Sequence, residues 1–358
     1  MRQPSSARIL LLGAGHANLL AVGPLRAALP DAGITLIDAA AAATYSGMVP
    51  GVVAGHYDAA QARVDLASLA RRHGIRFRQA RITGLDPGAR TVTLGAGDVL
   101  AYDLAVLDVG SHSALDGIKG FSRHAVPVKP LDGFLARLAG LAPGGPVAVI
   151  GGGIAGVEIA LALRRSRPVT LIERGPRIAA ALSRRAAAGL RAALQEAGVA
   201  VLTGARVEEV TAEAAILTDG QRVASALTIG ATGPRAHPWL GRDLPADAAG
   251  FVRVGPCLQV EGHPALFAVG DCAAMTHAPR PKAGVFAVRQ APVLVRNLIA
   301  LQRGLPPVPY HPQGDYLKIV SLGAKTALAE WRGLSLQGRW LWHLKDRIDR
   351  RFMARLQS

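Results

Sequence analysis

Twice along this chain an apolar, β-branched run stops at a glycine-rich turn, and each turn opens a stretch with the composition of an apolar helix. The first reads Arg8-Ile9-Leu10-Leu11-Leu12 and then Gly13-Ala14-Gly15-His16-Ala17-Asn18; the second reads Val147-Ala148-Val149-Ile150 and then Gly151-Gly152-Gly153-Ile154-Ala155-Gly156. Such a turn uses glycine for the sharp bend, for approach of the backbone to a ligand, and for close packing of helix on strand. The free N–H groups where the helix starts are a seat for pyrophosphate. A single turn is a weak sign, but about 20 residues or slightly more beyond each one a second strand-like run ends in an acid. Those runs are Thr35-Leu36-Ile37-Asp38 and Thr170-Leu171-Ile172-Glu173. Two dinucleotide sites follow, with Gly13, Gly15 and Asp38 at the first and Gly151, Gly153, Gly156 and Glu173 at the second.

The rest of the chain fits this pattern. Short Val/Ile/Leu runs alternate with alanine-rich helical stretches, which predicts an α/β fold of parallel sheets covered by helices on both faces. At 358 residues the chain exceeds a single core of about 100 to 200 residues. The first unit contains a hairpin-like region at 82–99 and ends on a strand running into Asp108-Val109-Gly110-Ser111. The second closes on Ala226-Leu227-Thr228-Ile229-Gly230 and Ala231-Thr232-Gly233-Pro234. Beyond Arg235 the pattern returns with Pro264-Ala265-Leu266-Phe267-Ala268-Val269-Gly270-Asp271 and a helix over 284–301. The predicted architecture is two Rossmann-like domains, residues 116–237 being inserted between 1–115 and 238–310. A C-terminal segment, 311–358, carries a β-pair at 316–322 and 324–331 and a basic helix from about Gly338.

Composition removes several classes. The net charge of +16 comes from 41 Lys and Arg against 25 acidic residues and suits phosphate-bearing ligands, anionic lipid or plain solubility. No nucleic-acid motif accompanies it, so nucleic acid is not an expected partner. No run approaches the ~18 uninterrupted apolar residues of a spanning helix. Met1-Arg2 and the run Ile9–Leu12 are not read as a secretory signal, because cleavage there would destroy the first glycine turn. Cys257 and Cys272, the only cysteines, form no CxxC, which makes a cytoplasmic setting the default. No His/Cys/Asp cluster has ligand spacing, and no metal is expected.

Four ordered items, namely the two turns, Ala231-Thr232-Gly233 and Phe267-Ala268-Val269-Gly270-Asp271, resemble the two-dinucleotide flavoproteins of the pyridine nucleotide-disulfide oxidoreductase superfamily over nearly the whole chain. Within it the chain is most similar to the type II NADH dehydrogenase branch, especially the flavoprotein module sometimes fused ahead of selenide, water dikinase. That similarity is carried by Tyr45-Ser46-Gly47-Met48-Val49-Pro50-Gly51, by Pro281-Lys282-Ala283-Gly284-Val285-Phe286-Ala287-Val288-Arg289-Gln290, and by Trp342-His343-Leu344-Lys345-Asp346-Arg347-Ile348-Asp349-Arg350-Arg351-Phe352-Met353. The resemblance implies FAD in the first unit and NADH in the inserted one. Gly13 and Gly15 would approach the FAD pyrophosphate, Asp38 would bond the adenosine ribose, and Asp271, after Gly270, would hold the ribityl chain. Asn18 stands where a third glycine is expected. His16 is read either as a phosphate contact or as a helix-start histidine. Glu173 accepting the ribose hydroxyls favours NADH over NADPH, because a carboxylate repels the additional phosphate; Arg174 beside it acts in the opposite sense.

Hydride transfer is the cofactor's chemistry, and the protein's share is to stack the rings and tune charge around them. By the resemblance Glu158 lies near nicotinamide and flavin, its alternative being an ordinary helix glutamate. Lys282 matches a flavin-edge position where an ammonium stabilises negative charge, or is a surface lysine. Gln290 matches the last glutamine of a quinone-side motif, but Val285 replaces an earlier glutamine and weakens the case for quinone. Lys129, in Val128-Lys129-Pro130, is either a nucleotide contact or a hinge lysine. The region from Tyr45 to His56 holds no cysteine, which argues against thiol–disulfide exchange. The expected function is FAD-dependent oxidation of NADH with electrons passed to a second acceptor, a quinone among the candidates. A flavoprotein of selenium metabolism and an NADH-sensing interaction module stand as alternatives. Nothing in the sequence sets the oligomeric state. On a helical projection Leu341, Leu344, Ile348, Phe352 and Leu356 form one stripe beside Trp340 and Trp342, flanked by Arg347, Arg350, Arg351 and Arg355. That pattern suits an anionic membrane surface, and it equally suits docking on the helix's own domain or on a second subunit.

Overall fold

The structure, a computed structural model, describes residues 7–113, 115, 117–141 and 144–357. The apolar runs are strands of two parallel sheets. A strand covered by helices on both faces has no polar side, and Leu104–Leu107, Val147–Ile150 and Leu227–Gly230 are buried at every position. In the first sheet Arg8–Leu12 lies between Gly33–Asp38 and Leu104–Leu107, with Arg76–Gln79 and His263–Ala268 outside them, all in parallel register. The direction of strand succession therefore reverses between Arg8–Leu12 and Leu104–Leu107. The crevice beyond the carboxyl ends at such a switch point is where a doubly wound sheet takes its ligand.

The second sheet repeats the plan. Val147–Ile150 lies between Val169–Glu173 and Leu227–Gly230, flanked by Ala200–Thr203 and Ala125–Pro127. The first sheet draws its strands from both sides of this unit in the chain, and the way in and the way out run together where His112–Ser113 pairs antiparallel with Pro234–Arg235. Each unit also carries a three-stranded antiparallel ribbon: Ile82–Asp86, Thr91–Leu94 and Val99–Ala101 in the first, and Val207–Val210, Ala214–Leu217 and Arg222–Ala224 in the second.

The helix after the first turn, His16–Ala28, packs along Gly284–Gln302. The latter is long and apolar enough to cross a membrane by length and composition. In this fold it is a core helix, burying Phe286, Ala287, Gln290, Ala291, Leu294, Asn297 and Leu298. Cys257 lies in a turn between Val252–Val254 and Gln259–Val260, where the chain reverses with Leu258 at φ 68°.

At the C-terminus the expected pair, Lys318–Ser321 and Ala327–Trp331, gains a third strand, Leu334–Gly338, before the helix Arg339–Gln357. The projected stripe of that helix splits. Leu341, Phe352 and Leu356 are buried with Trp342 and Met353, whereas Trp340, Leu344 and Ile348 are 58%, 36% and 47% exposed. The polar residue Asp349 turns inward instead: it is buried and accepts from Tyr45 Oη at 3.1 Å and from Lys345 Nζ at 2.6 Å.

Candidate functional site

The two glycine turns hold their acids in the same way. Asp38 Oδ2 accepts from the Ala14 N–H at 2.7 Å and Oδ1 from the Ala40 N–H at 2.8 Å. Glu173 Oε2 accepts from the Gly152 N–H and Oε1 from the Gly175 N–H, both at 2.6 Å. In each unit the residue after the first glycine thus fixes the acid beside the turn through a charge-assisted bond. The glycines are dictated by contact. A Cβ on Gly13 would lie 2.5 Å from the Asp108 carbonyl oxygen, and one on Gly151 would lie 2.6 Å from that of Ala231. At Gly153 a Cβ would meet nothing within 4 Å, so that turn is open on the side a ligand approaches. Strand, turn, helix start and acid fit a dinucleotide in both units.

The units differ at one coupled pair of positions. Where the second has Gly156, whose Cβ would strike Gly151 O at 1.9 Å, the first has Asn18, fully buried, with Nδ2 donating to Gly13 O at 2.8 Å. Where the second has Ala231, the first has Asp108. The Asp108 carboxylate, 3% exposed, accepts from the Ala17 N–H at 2.8 Å and the Asn18 N–H at 3.0 Å. A helix leaves its first N–H groups without intrahelical partners, and a side chain from the neighbouring strand takes two of them here. Asp108 is also wedged between glycines: a Cβ on Gly15 would lie 2.2 Å from its carboxyl, and one on Gly270 2.5 Å away. Burial pushes Asp108 up to about 7, the two N–H bonds pull it down, and the charges of Asp271 and Asp38 push it up again. Sequence reasoning missed this residue. Aligning the two halves of the chain on their glycine turns would have exposed it, since Asp108 stands opposite Ala231.

Asp271 lies on the turn that returns to the first crevice. It accepts from Lys129 Nζ at 2.7 Å and from Ser111 Oγ at 3.2 Å, and Lys129 also reaches Ser111 Oγ at 3.1 Å. Gln290 is 1% exposed; its Oε1 accepts from the Gly270 N–H at 2.8 Å and its Nε2 faces Met275 Sδ at 3.6 Å. Its amide is therefore engaged in holding the turn that carries Asp271. His16 packs edge-on to Tyr45, with centroids 5.4 Å apart, and against Phe352 at 5.5 Å. Burial lowers its pKa to about 4, with Asp271 opposing and Lys129 adding to the shift; His16 is neutral. Cys272 is fully buried, donates to Val269 O at 3.2 Å, and is pushed up to about 12 by burial, which makes it a packed, unreactive thiol.

Lys282 borders a cavity of about 320 Å³ lined also by Asp271, Met275, Arg280, Phe286 and Gln290. Its ammonium donates to Ala273 O and lies 4.0 Å over the Phe251 ring, and burial lowers its pKa. Glu158 accepts from the Ser321 N–H at 2.8 Å. Burial pushes it up to about 7, against the charge of Lys345. Lys345 donates at 2.6 Å both to Gly47 O and to Asp349 Oδ2. The C-terminal helix thereby brings a half-buried cation toward Glu158 on the helix of the second turn and to the loop after Asp38. The family motif contained Lys345 and Asp349, but nothing in their spacing marked this contact. Among the described residues no group of three or more His, Cys, Asp or Glu could hold a metal ion.

The family model of the pyridine nucleotide-disulphide oxidoreductases matches residues 7–291. The NADH dehydrogenase-like protein MT1860 of Mycobacterium tuberculosis is 32% identical over 241 residues, 61% of this chain and 60% of that protein. The match thus spans about 60% of the length of that relative. Demethylphylloquinone reductase NdbB of Synechocystis is 28% identical over 297 residues, 75% of this chain and 72% of that one. The structure of NDH2 from Plasmodium falciparum in complex with NADH shares the fold, with a TM-score of 0.82 over 98% of this chain and 97% of that chain at 15% identity. Two like-built dinucleotide turns inside a match that covers most of the chain lead to one assignment: this protein belongs to the pyridine nucleotide-disulphide oxidoreductase family.

Proposed function

We propose that the chain is an FAD-dependent NADH dehydrogenase that passes electrons to a quinone-type acceptor. The observation that carries this is the pair of like-built turns, each with its acid fixed by the N–H after the first glycine, in a chain related to proteins named NADH dehydrogenase-like and demethylphylloquinone reductase. On this proposal FAD occupies the first turn in a domain made of 1–115 and 238–310, and NADH the second turn in 116–237. The hydride and electron chemistry is what FAD supplies when bound.

The protein's residues bind and tune. Gly13, Gly15 and the His16 N–H receive the FAD pyrophosphate, with Asp38 on the adenosine ribose and Asp271 on the ribityl hydroxyls. Lys129 compensates the charge of Asp271, and Lys282 supplies a desolvated cation at the cavity wall. Gly151, Gly153 and Gly156 seat NADH, and Glu173 selects it over NADPH. Burial raises Glu158 to about 7 against the opposing charge of Lys345, the range in which a group serving quinol formation exchanges its proton. Gln290 acts by fixing Gly270 and hence Asp271.

The apolar residues of the C-terminal segment left uncovered, Trp331, Leu334, Leu336, Trp340, Leu344 and Ile348, form the contact with an anionic membrane, where a lipid-soluble acceptor resides. The test is steady-state turnover of the purified protein with NADH or NADPH against quinones, dyes and selenium compounds. NADH-dependent quinone reduction supports the proposal; turnover with a selenium compound and none with any quinone contradicts it.

A further inference from the structure

The two seats of this chain are internal controls for each other. They share strand, turn and acid, and they differ where Asn18 and Asp108 replace Gly156 and Ala231. In the second seat the helix start is bordered by an alanine methyl; in the first a carboxylate from the adjoining strand end already occupies two helix N–H donors. Such donors stabilise an anion, and a dinucleotide brings a pyrophosphate to the same place. Two anions are then asked to share one helix terminus in a site that screens charge poorly.

We infer that Asp108 belongs to the FAD seat and that FAD enters it together with a proton carried on the Asp108 carboxyl. This rests on the proposal that FAD occupies the first turn. The groups facing Asp108 support it. Asp38 comes from the strand Gly33–Asp38 and Asp271 from the returning turn, and both charges disfavour the Asp108 anion. Cys272 beside them is a neutral thiol, and His16 on the capped helix is neutral. The ammonium groups nearby are engaged elsewhere, Lys129 with Asp271 and Lys282 with Ala273 O and the Phe251 ring. No cation pairs with Asp108 among the described residues, so protonation is its route to neutrality. Asn18, which donates its N–H to Asp108, has its own Oδ1 buried without a partner, and the neutral carboxyl is the form of Asp108 that can donate. Alanine at 231 predicts no such coupling in the second seat.

The coupling has a sign. Pyrophosphate next to Asp108 favours its protonated form, so above neutral pH each FAD bound draws a proton from solvent and affinity falls by up to about tenfold per pH unit. Below neutral pH Asp108 already holds the proton and affinity is flat. The test is FAD release from the full-length holoprotein, followed by recovery of flavin fluorescence on dilution between pH 6 and pH 9, for wild type and Asp108→Asn. Calorimetry of FAD rebinding in two buffers of different ionisation enthalpy counts protons directly on the wild type, so the result stands even where the variant fails to fold. We expect at least about tenfold weaker FAD retention by wild type at pH 9 than at pH 6, at most about threefold change in Asp108→Asn, and proton uptake by wild type alone. A wild type that binds FAD without proton uptake, or a variant that keeps the full pH dependence, overturns the role of Asp108. A folded protein that binds no FAD at any of these pH values overturns the FAD seat as well.

Discussion

Lys129 Nζ donates to Asp271 Oδ2 at 2.7 Å, joining the segment that enters the second unit to the turn that closes the first. The pair is part-exposed, 37% on the lysine side and 16% on the acid, so its contribution to stability is of the solvated kind, below about 1 kcal/mol. Its larger effect is on charge: it is the cation bonded directly to an acid of the first crevice. Lys129→Met should lower FAD affinity about tenfold, because the charge of Asp271 is then left uncompensated beside an anionic cofactor, while shifting the melting temperature by less than about 3 °C. Fluorescence titration and thermal unfolding of the same sample check both. An unchanged FAD affinity would reduce Lys129 to a hinge residue.

Glu173 accepts from both the Gly152 and the Gly175 N–H, which presents its carboxylate at the rim of the second turn. Glu173→Ala should raise the KM for NADH about tenfold or more, in line with a hydrogen bond to a charged group worth about 1.5–3 kcal/mol. NADPH should be affected less, so the ratio of NADH to NADPH turnover should fall. Equal losses with both nucleotides would mean that Glu173 serves the turn's structure and not ribose recognition.

How much of this was legible in the sequence differs by the kind of cause. The turns and their acids could be read because backbone geometry leaves no alternative to glycine at Gly13 and Gly151, and because Asp38 and Glu173 end strands at a regular distance. Asp108 could not be read from its neighbourhood, since what it caps lies some 90 residues earlier in the chain. Lys345 and Asp349 meet Gly47 and Tyr45 across a still longer separation, for which periodicity has no signal. The projected stripe of the C-terminal helix divides for a related reason, Leu341, Phe352 and Leu356 docking on the chain itself while Leu344 and Ile348 stay exposed. Its rotation is set by part-buried hydrogen bonds at Lys345 and Asp349 as well as by apolar area, and a helical projection counts only the latter. The third strand, Leu334–Gly338, has no sequence signal because its two exposed leucines, Leu334 and Leu336, resemble a loop until Trp331 and Ala329 pair with them.

Glu158 predicts a pH dependence of stability. Its folded pKa, about 7, is raised above the ordinary 4.5, so between those values the folded chain binds more protons than the unfolded one. Its contribution to stability therefore declines as pH rises through that window. Glu158→Gln removes the decline while keeping an acceptor for the Ser321 N–H. The variant should match wild type near pH 5 and exceed it near pH 8 by on the order of 1–3 kcal/mol, measured by thermal unfolding at the two pH values. A variant less stable than wild type at pH 8 would show that Glu158 is ionised and paired in the fold.

Leu344 and Ile348 lie one turn apart on the exposed side of the C-terminal helix, near Trp340. Converting both to Glu should abolish cosedimentation with anionic phosphatidylglycerol vesicles and leave FAD content and melting temperature unchanged, because neither side chain is part of the buried face. Retained vesicle binding would exclude this surface as the membrane contact.

On the proposed function one turn seats FAD and the other seats NADH close enough for hydride to pass between them. Anaerobic titration of the purified full-length protein with NADH, followed in the visible flavin band, tests it most directly. The flavin should be stoichiometric, should bleach completely with about one equivalent of NADH and should regain its colour when a quinone is added. A protein that carries FAD but keeps its colour under excess NADH would contradict it.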